Sequence, residues 1–445
     1  VQIINKMRIK AMESIRKTNA LKYYDEFIQN QWKSYDELKS IQDKKLKQLI
    51  QHCYENVKYY RNYMDFHNLT PDDILKTEDL IKMPILTKSI IRKEKQKIIA
   101  SNAESFQPEE KGTGGSTGEP LRYLLPKASH SLMWANIWRG WNAAGYQPGD
   151  RVAVLAGSSL LSGFNFKRSA YYWLNNWLPL SSFNMDDNKM REYVNNIKKE
   201  KIQFLYAYAS SAYELANFIL KENLKGGFKL KGVITTAEVL FDHYREKIEE
   251  AFDCKVFNQY GANDGGVSAF ECELHDGLHI GMERCIVEIV DDYGQPVEKG
   301  KEGKILLTDL SNYAMPFIRY EVGDLGAFSK SLCKCGRGLE KFEYIKGRQQ
   351  EFVFSKNNQK IHGEFFSHLF RQSDLVEQFQ VIQEHKGKIK ILVKLNRKDE
   401  ENLLNELKTK IIKKEIFNEV VIDQTEDFIK TKGGKHKFVI NNVKE

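Results

Sequence analysis

Between residues 128 and 259, short apolar runs alternate with longer amphipathic ones, and this alternation constrains the fold more than any other feature of the chain. Strand-like runs at 151–156, 204–207, 232–236 and 255–259 are interleaved with helical patterns at 128–144, 189–201, 211–225 and 242–252. Neighbouring parallel strands need a crossover connection, usually a helix, so the order predicts βαβ units and parallel-sheet layers. Upstream, residues 1–95 read as helices. Leu46, Leu49, Ile50, Cys53, Val57, Tyr60 and Met64 fall at spacings near three and four and form one apolar face. From residue 281 the pattern changes to short strands with turns, at 285–290, 304–308 and 326–329, which predicts a small antiparallel subdomain.

After residue 348 a strand (351–355), an Asn-rich turn (356–359), a helix (363–372), strands (379–384 and 388–394), a helix (400–412) and a strand near 419–422 give the element order of a small α+β domain. The expected class is therefore α/β. A large N-terminal domain spans 1–348 and a small mobile C-terminal domain spans 349–445, joined by a hinge at 348–351 that contains Gln350.

Composition excludes several functions. The 445 residues are 41% hydrophobic, enough for more than one core, and carry a net charge of +8. Lys and Glu alternate along stretches such as 198–201 and 408–415, as on solvated helix faces. No basic stripe with interleaved aromatics appears, so nucleic acid is not an expected partner. The greasiest stretch, 171–180, is broken by Asn175, Asn176 and Pro179, well short of the roughly 20 apolar residues of a membrane span. With no basic-then-apolar leader at the start, a cytoplasmic location is expected. Six cysteines in so long a chain do not form a disulfide framework.

The segment Gly112-Thr-Gly-Gly-Ser-Thr-Gly-Glu-Pro120 has four glycines that let the backbone approach a ligand closely. Its hydroxyls suit phosphate oxygens. It is neither a Walker loop, lacking Gly-Lys-Ser/Thr, nor a GxGxxG fingerprint, because Thr117 stands where the third glycine belongs. A Rossmann-type dehydrogenase is thereby set aside. Alone, such a segment is also an ordinary flexible connection.

Further segments follow in order: Thr235-Thr-Ala-Glu-Val-Leu240, Asn258-Gln-Tyr-Gly-Ala-Asn-Asp264, Ala314-Met-Pro-Phe-Ile-Arg-Tyr-Glu-Val-Gly-Asp324, Ile345-Lys-Gly-Arg348 and Thr431-Lys-Gly-Gly-Lys435. With these and Pro84-Ile-Leu-Thr-Lys88, the chain from about residue 45 onward resembles the adenylate-forming (ANL) superfamily. Within it the chain is most similar to the phenylacetate-CoA ligase family and its capsule-biosynthesis (CapK-like) branch.

The resemblance implies roles for particular residues. Thr113, Gly114, Gly115, Ser116, Thr117 and Gly118 would hold the β- and γ-phosphates of ATP, and Ala237 and Glu238 would lie against adenine. Gln259, Tyr260 and Gly261 would border the nucleotide and the acyl substrate. Asp324 would accept hydrogen bonds from the ribose hydroxyls, and Arg348 would reach ribose or phosphate. Asp264 stands where the family has Glu and would bind Mg²⁺ through a shorter side chain. Gly114 replaces a frequent Ser. Lys435 is the expected catalytic residue, because its ammonium can bridge a substrate carboxylate and the α-phosphate. The bland alternative for Lys435 is a solvated lysine of a basic tail.

Cys272-x-x-His275 and Cys333-x-Cys335 offer three sulfurs and an imidazole for a tetrahedral structural Zn²⁺, with Gly336 permitting a tight knuckle. His279 is the competing imidazole, and separately buried thiols are the bland alternative. Trp134, Trp138, Trp141, Tyr171, Tyr172, Trp173 and Trp177 read as core.

Two acceptors follow from the resemblance, and in both cases the donor is a small carboxylic acid. The capsule branch implies an amine acceptor in surface-polysaccharide (capsule or O-antigen) synthesis, and the parent family implies CoA and an aryl acid. A different class, a non-catalytic nucleotide-binding protein, would explain Gly114 and Asp264 but not the presence of Lys435, Arg348 and Asp324. Oligomeric state is not legible.

Overall fold

The structure is a computed structural model. It describes all residues except 1, 113–120, 157–165, 183–184, 238–239, 241, 347–351, 363, 371–375, 396–400, 415, 426–427, 430–438 and 444–445. The chain divides into two compact units, one holding residues 1–111 and 122–346 and the other including the chain from 347 onward.

In the first unit, helices Gln2–Arg16, Ala20–Asn30, Tyr35–Asn56 and Lys58–Phe66 lead the chain. The third starts at a capping box in which Ser34 and Glu37 satisfy each other's backbone N–H groups. The apolar face expected over 46–64 is buried in full and packs on Ile74, Leu80, Ile286, Leu310 and Ile318.

Strands β1 (Glu109–Gly112) and β2 (Arg122–Leu125) form a two-stranded sheet. β3 (Val152–Ala156), β4 (Trp177–Ser181), β5 (Phe204–Tyr208), β6 (Gly232–Thr236) and β7 (Lys255–Ala262) form a parallel layer in the order β4-β3-β5-β6-β7. Side chains alternate across it. Ala153, Leu155, Leu205, Ala207, Val233 and Val256 face helices Asp187–Lys199, Ala209–Lys221 and Asp242–Phe252, while Val152, Val154, Phe204, Tyr206, Tyr208 and Ile234 face helix Lys127–Asn142 and the N-terminal helices. Both faces are covered, which explains why these strands read as continuous apolar runs. Trp138, Trp141 and Trp177 belong to the second of these cores, as expected, whereas Trp173 is exposed.

The expected antiparallel subdomain is not a separate sheet. β8 (Val267–Phe270), β9 (Leu278–Ile280), β10 (Cys285–Val290), β11 (Gly303–Asp309), β12 (Tyr320–Phe328) and β13 (Lys341–Lys346) continue the same one, giving eleven strands in the order β10-β11-β12-β13-β9-β8-β7-β6-β5-β3-β4. β7 is the join. Up to Asn258 it pairs parallel with β6, and from Gln259 onward it pairs antiparallel with β8.

In the second unit, β14 (Phe352–Phe354) and β15 (Lys360–His362) form a hairpin. β16 (Val376–His385), β17 (Lys388–Leu395), β18 (Glu419–Gln424) and β19 (Val439–Asn441) form a sheet of order β18-β17-β16-β19, with helices Glu364–Phe370 and Glu401–Ile412. Val353, Phe366, Val381, Ile391, Ile411 and Val439 contribute to its core. Among the described residues no helix is long and apolar enough to cross a membrane, and all six cysteines are free.

Candidate active site

The carboxyl ends of parallel strands are the usual place for a ligand in an open α/β sheet, and here β6 and β7 carry two of the segments singled out above. β6 ends at Thr236 and is followed by Ala237, whose φ of 67° lies in the left-handed region. A non-glycine residue pays on the order of 1–2 kcal/mol there, a kind of strain that clusters at functional sites.

On β7 the side chains diverge. Gln259 is buried and bound from both sides: its Oε1 accepts from Trp141 Nε1 at 3.2 Å and its Nε2 donates to Ser268 Oγ at 3.4 Å. Tyr260 instead donates its hydroxyl to Asp324 Oδ2 at 2.7 Å. Burial, reinforced by Asp324, pushes the Tyr260 phenol well above its ordinary value, so it stays a donor. Three strands separate β7 from β12 in the sheet order. A flat sheet would hold the two backbones about 19 Å apart, so the sheet must curl to bring the pair together.

The backbone of β12 aims Asp324. Lys304 faces Leu325 and Leu306 faces Glu321, so Ile305 alone of β11 stands against Val322, Gly323 and Asp324. This bulge shifts the register at Asp324 against β11, and Gly323 at φ 97° supplies the turn.

A second contact runs the other way. Tyr320, fully buried on β12, donates its hydroxyl to Asp264 Oδ2 at 2.7 Å. Tyr320 is itself fixed by the 84–88 segment, since Leu86 N donates to Arg319 O at 3.0 Å and Glu321 N donates to Leu86 O at 2.9 Å. Arg319 is anchored on Glu288 at 3.1 Å and on the Met83 and Gly294 carbonyls.

Beside Asp264, Asn263 Nδ2 donates to the Tyr123 hydroxyl at 3.2 Å, and Arg284 Nη2 donates to Asn263 Oδ1 at 3.4 Å. Arg284 and Asp309 are buried 3.5 Å apart. The turn after Asp264 tolerates only glycine. A Cβ on Gly265 would meet Leu307 Cδ1 at 2.3 Å, and one on Gly266, at φ 76°, would meet Asp309 Cγ at 2.5 Å.

Tyr320, Tyr123, Arg284 and Asp309 were not foreseen as site residues. Tyr320 lay inside the quoted 314–324 segment, but its pairing with Asp264 has no local signature. Thr113, Gly114, Gly115, Ser116, Thr117, Gly118, Glu238, Arg348, Gln350 and Lys435 lie outside the described residues.

The cysteine cluster forms with one change of member. Cys272, Cys333, Cys335 and His279 bring their ligand atoms within 4.8 Å of one another. Cys272 Sγ and Cys333 Sγ are 3.7 Å apart, and Cys335 Sγ and His279 Nε2 are 3.5 Å apart. A tetrahedral zinc with bonds of about 2.3 Å has sulfur–sulfur edges of about 3.8 Å, so the donor set fits that ion. Burial, with Arg337 and Lys341 nearby, pushes His279 down to about 4, leaving a neutral imidazole.

His275, the other candidate imidazole, turns away. It sits at φ 51° with Nδ1 3.1 Å from Glu271 Oε2 and 3.4 Å from Arg245 Nη1. Gly336 adopts φ 89° as the knuckle requires. The knuckle docks on the N-terminal helices, with Gly338 N donating to Gln31 O at 3.1 Å and Arg337 stacked 4.6 Å over the Trp32 ring.

The fold so assembled is that of the adenylate-forming ligases. It matches a crystal structure of 2-hydroxyisobutyryl-CoA ligase in complex with 2-HIB-AMP and CoA, with a TM-score of 0.64 and 18% identity over 92% of this chain and 90% of that one. In sequence the chain is similar to phenylacetate-coenzyme A ligases and to a protein named CapK. Protein CapK of Staphylococcus aureus is 24% identical across 95% of this chain and 93% of its own length. The phenylacetate-coenzyme A ligase of Escherichia coli strain K12 is 28% identical across 72% and 73%. Residues 353–442 match the family model of the CapK C-terminal domain.

Proposed function

We propose that this protein is an ATP-dependent ligase. It activates a small carboxylic acid as an acyl-adenylate with release of pyrophosphate, then passes the acyl group to an acceptor. The observation that carries this reading is the paired arrangement of Tyr260 with Asp324 and Tyr320 with Asp264 at the end of β7, both hydrogen bonds 2.7 Å long. Tyr260 fixes the Asp324 carboxylate from one side, and in this reading that carboxylate accepts hydrogen bonds from the ribose hydroxyls. Adenine would lie against the strained end of β6 at Ala237, and the backbones of Gln259 and Gly261 would border the nucleotide.

The chemistry must offset repulsion between a carboxylate and a triphosphate. In this reading residues 113–118 hold the β- and γ-phosphates, Arg348 reaches ribose or phosphate, and Lys435 bridges the carboxylate and the α-phosphate. Asp264 would hold Mg²⁺, which when bound neutralises phosphate charge. The small C-terminal domain, from 349, turns about the hinge at Gln350 between the two half-reactions. Zn²⁺ held by Cys272, His279, Cys333 and Cys335 would be structural, because four protein ligands leave no open position.

The acceptor is an amine in the synthesis of a surface polysaccharide. Similarity to Protein CapK supports this, since it extends over 95% of the chain while the E. coli phenylacetate-coenzyme A ligase aligns with 72%. A second reading, a CoA thioester of an aryl acid, is favoured by the several phenylacetate-coenzyme A ligases among the relatives. Pyrophosphate release across aryl acids, amino acids and uronic acids, with amines or CoA added in turn, separates the two. Stimulation by an amine supports the first and stimulation by CoA the second.

A further inference from the structure

Beside the β1–β2 sheet lies a cavity of about 250 Å³ that none of the roles above uses. Its walls come from four parts of the first unit: the end of the first helix and the turn after it (Arg16, Thr18), β1 (Glu109, Lys111), β2 (Leu125), and the start of helix Lys127–Asn142 (Lys127, His130). The arrangement is anchored, because the turn after Arg16, with Lys17 at φ 52°, is tied to that helix by Asn19 N donating to Ser131 Oγ at 3.2 Å.

The charge in this cavity is unbalanced. Lys111 is paired with Glu109 at 2.6 Å. Arg16 lies 5.1 Å over the Tyr171 ring, and neither it nor Lys127 has a carboxylate partner among the described residues. The 16-residue helix begins at Pro126 with no side chain capping its first turn, so its free N–H groups and positive dipole end add to the same field. Burial, then Arg16 and Lys111, push the His130 imidazole down to about 4, with Glu109 opposing the shift only in part. A smaller void shares Arg16, Thr18 and His130 and is walled by Trp134 and Tyr171, which gives the site an aromatic side.

We propose that this cavity binds a small phosphorylated molecule, its phosphate held by Arg16 and Lys127 at the start of the helix, at a site separate from the nucleotide. Guanidinium, ammonium and helix N-terminus together are the donors that phosphate recognition uses. The volume suits a phosphate with a sugar-sized body and is too small for a nucleotide. Lys111 and Leu125 also line the cavity. They stand on β1 and β2, the strands that precede and follow the glycine-rich segment in the chain.

The test is titration calorimetry on the full chain with two probes, inorganic phosphate and glucose 6-phosphate, each with and without a saturating non-hydrolysable ATP analogue. At least one probe should bind saturably, at a site the analogue does not block. Arg16→Gln and Lys127→Gln should each weaken that binding about tenfold or more, as loss of a charge-assisted hydrogen bond does. Glu109→Gln should tighten it about threefold, a gain that misfolding cannot mimic. Tighter binding of glucose 6-phosphate would identify an organic phosphate as the ligand, and equal affinities would identify the phosphate group alone. The proposal is overturned if neither probe saturates up to about 10 mM, if the analogue abolishes binding, or if the variants bind like the parent. Heat from the analogue itself reports separately on the ligase reading.

Discussion

The Tyr260 hydroxyl donates to the Asp324 carboxylate at 2.7 Å although the two are 64 positions apart in the chain, and Tyr320, at the start of the strand that carries Asp324, donates in return to Asp264 on the Tyr260 segment. Each segment thus supplies one carboxylate and the phenol that fixes the other. The two motifs are thereby tied to each other at both acids.

Replacing Tyr260 by Phe removes the donor and keeps the ring, which packs 6.1 Å from Phe342. Steady-state kinetics should show the KM for ATP rising about tenfold, equivalent to about 1.4 kcal/mol, with kcat changed far less. An unchanged KM would separate Tyr260 and Asp324 from ribose binding.

Tyr320→Phe leaves a buried carboxylate without its hydrogen bond. Denaturant unfolding should show a loss of about 1.5–3 kcal/mol. Activity titrations should need more Mg²⁺ for half-maximal rate. If the Mg²⁺ dependence does not move while stability falls, Asp264 is a structural acid and not a metal ligand.

Metal analysis of the purified protein should find one zinc per chain. Cys333→Ser and His279→Ala should each lose it, while His275→Ala should keep it. Zinc retained in His279→Ala but lost in His275→Ala would reverse the assignment of the imidazole, and no zinc in the parent protein would remove the site.

Gly265→Ala drives a methyl into Leu307, with contacts of 2.3 and 2.8 Å to its side chain. Overpacking of this kind costs about 1–3 kcal/mol. Adding Leu307→Ala makes room, so thermal unfolding should show the double variant less destabilised than the sum of its two single changes. Simple additivity would mean the turn, not the contact, demands glycine.

Periodic features were legible from sequence and non-local pairings were not. The 46–64 face and strands β3, β5, β6 and β7 repeat at helix or strand spacing and emerge where expected. β4 was hidden because Pro179 interrupts an aromatic stretch. Pro179 is tolerated there because β4 is the edge strand, with Val154 of β3 beside it. β19 is three residues long and follows a basic stretch, so it carried no periodic signal.

The choice between the two histidines was not legible for a related reason. Cys272-x-x-His275 is a local spacing, yet the left-handed turn at His275 sends its ring to Glu271. His279 reaches the thiols because its strand, β9, pairs with β13, with Lys341 opposite His279, a register no spacing rule reveals. In the same way the curl of the sheet that joins Tyr260 to Asp324 is a property of strand order and not of either motif.

The central claim is that a carboxylate is activated by adenylation, and ATP–pyrophosphate exchange tests it most directly. The account predicts exchange that depends on one class of acid in the parent protein and is abolished in Lys435→Ala, with circular dichroism and melting temperature unchanged. Exchange at the parent rate in Lys435→Ala, or ATP binding with no exchange for any acid tested, would contradict it.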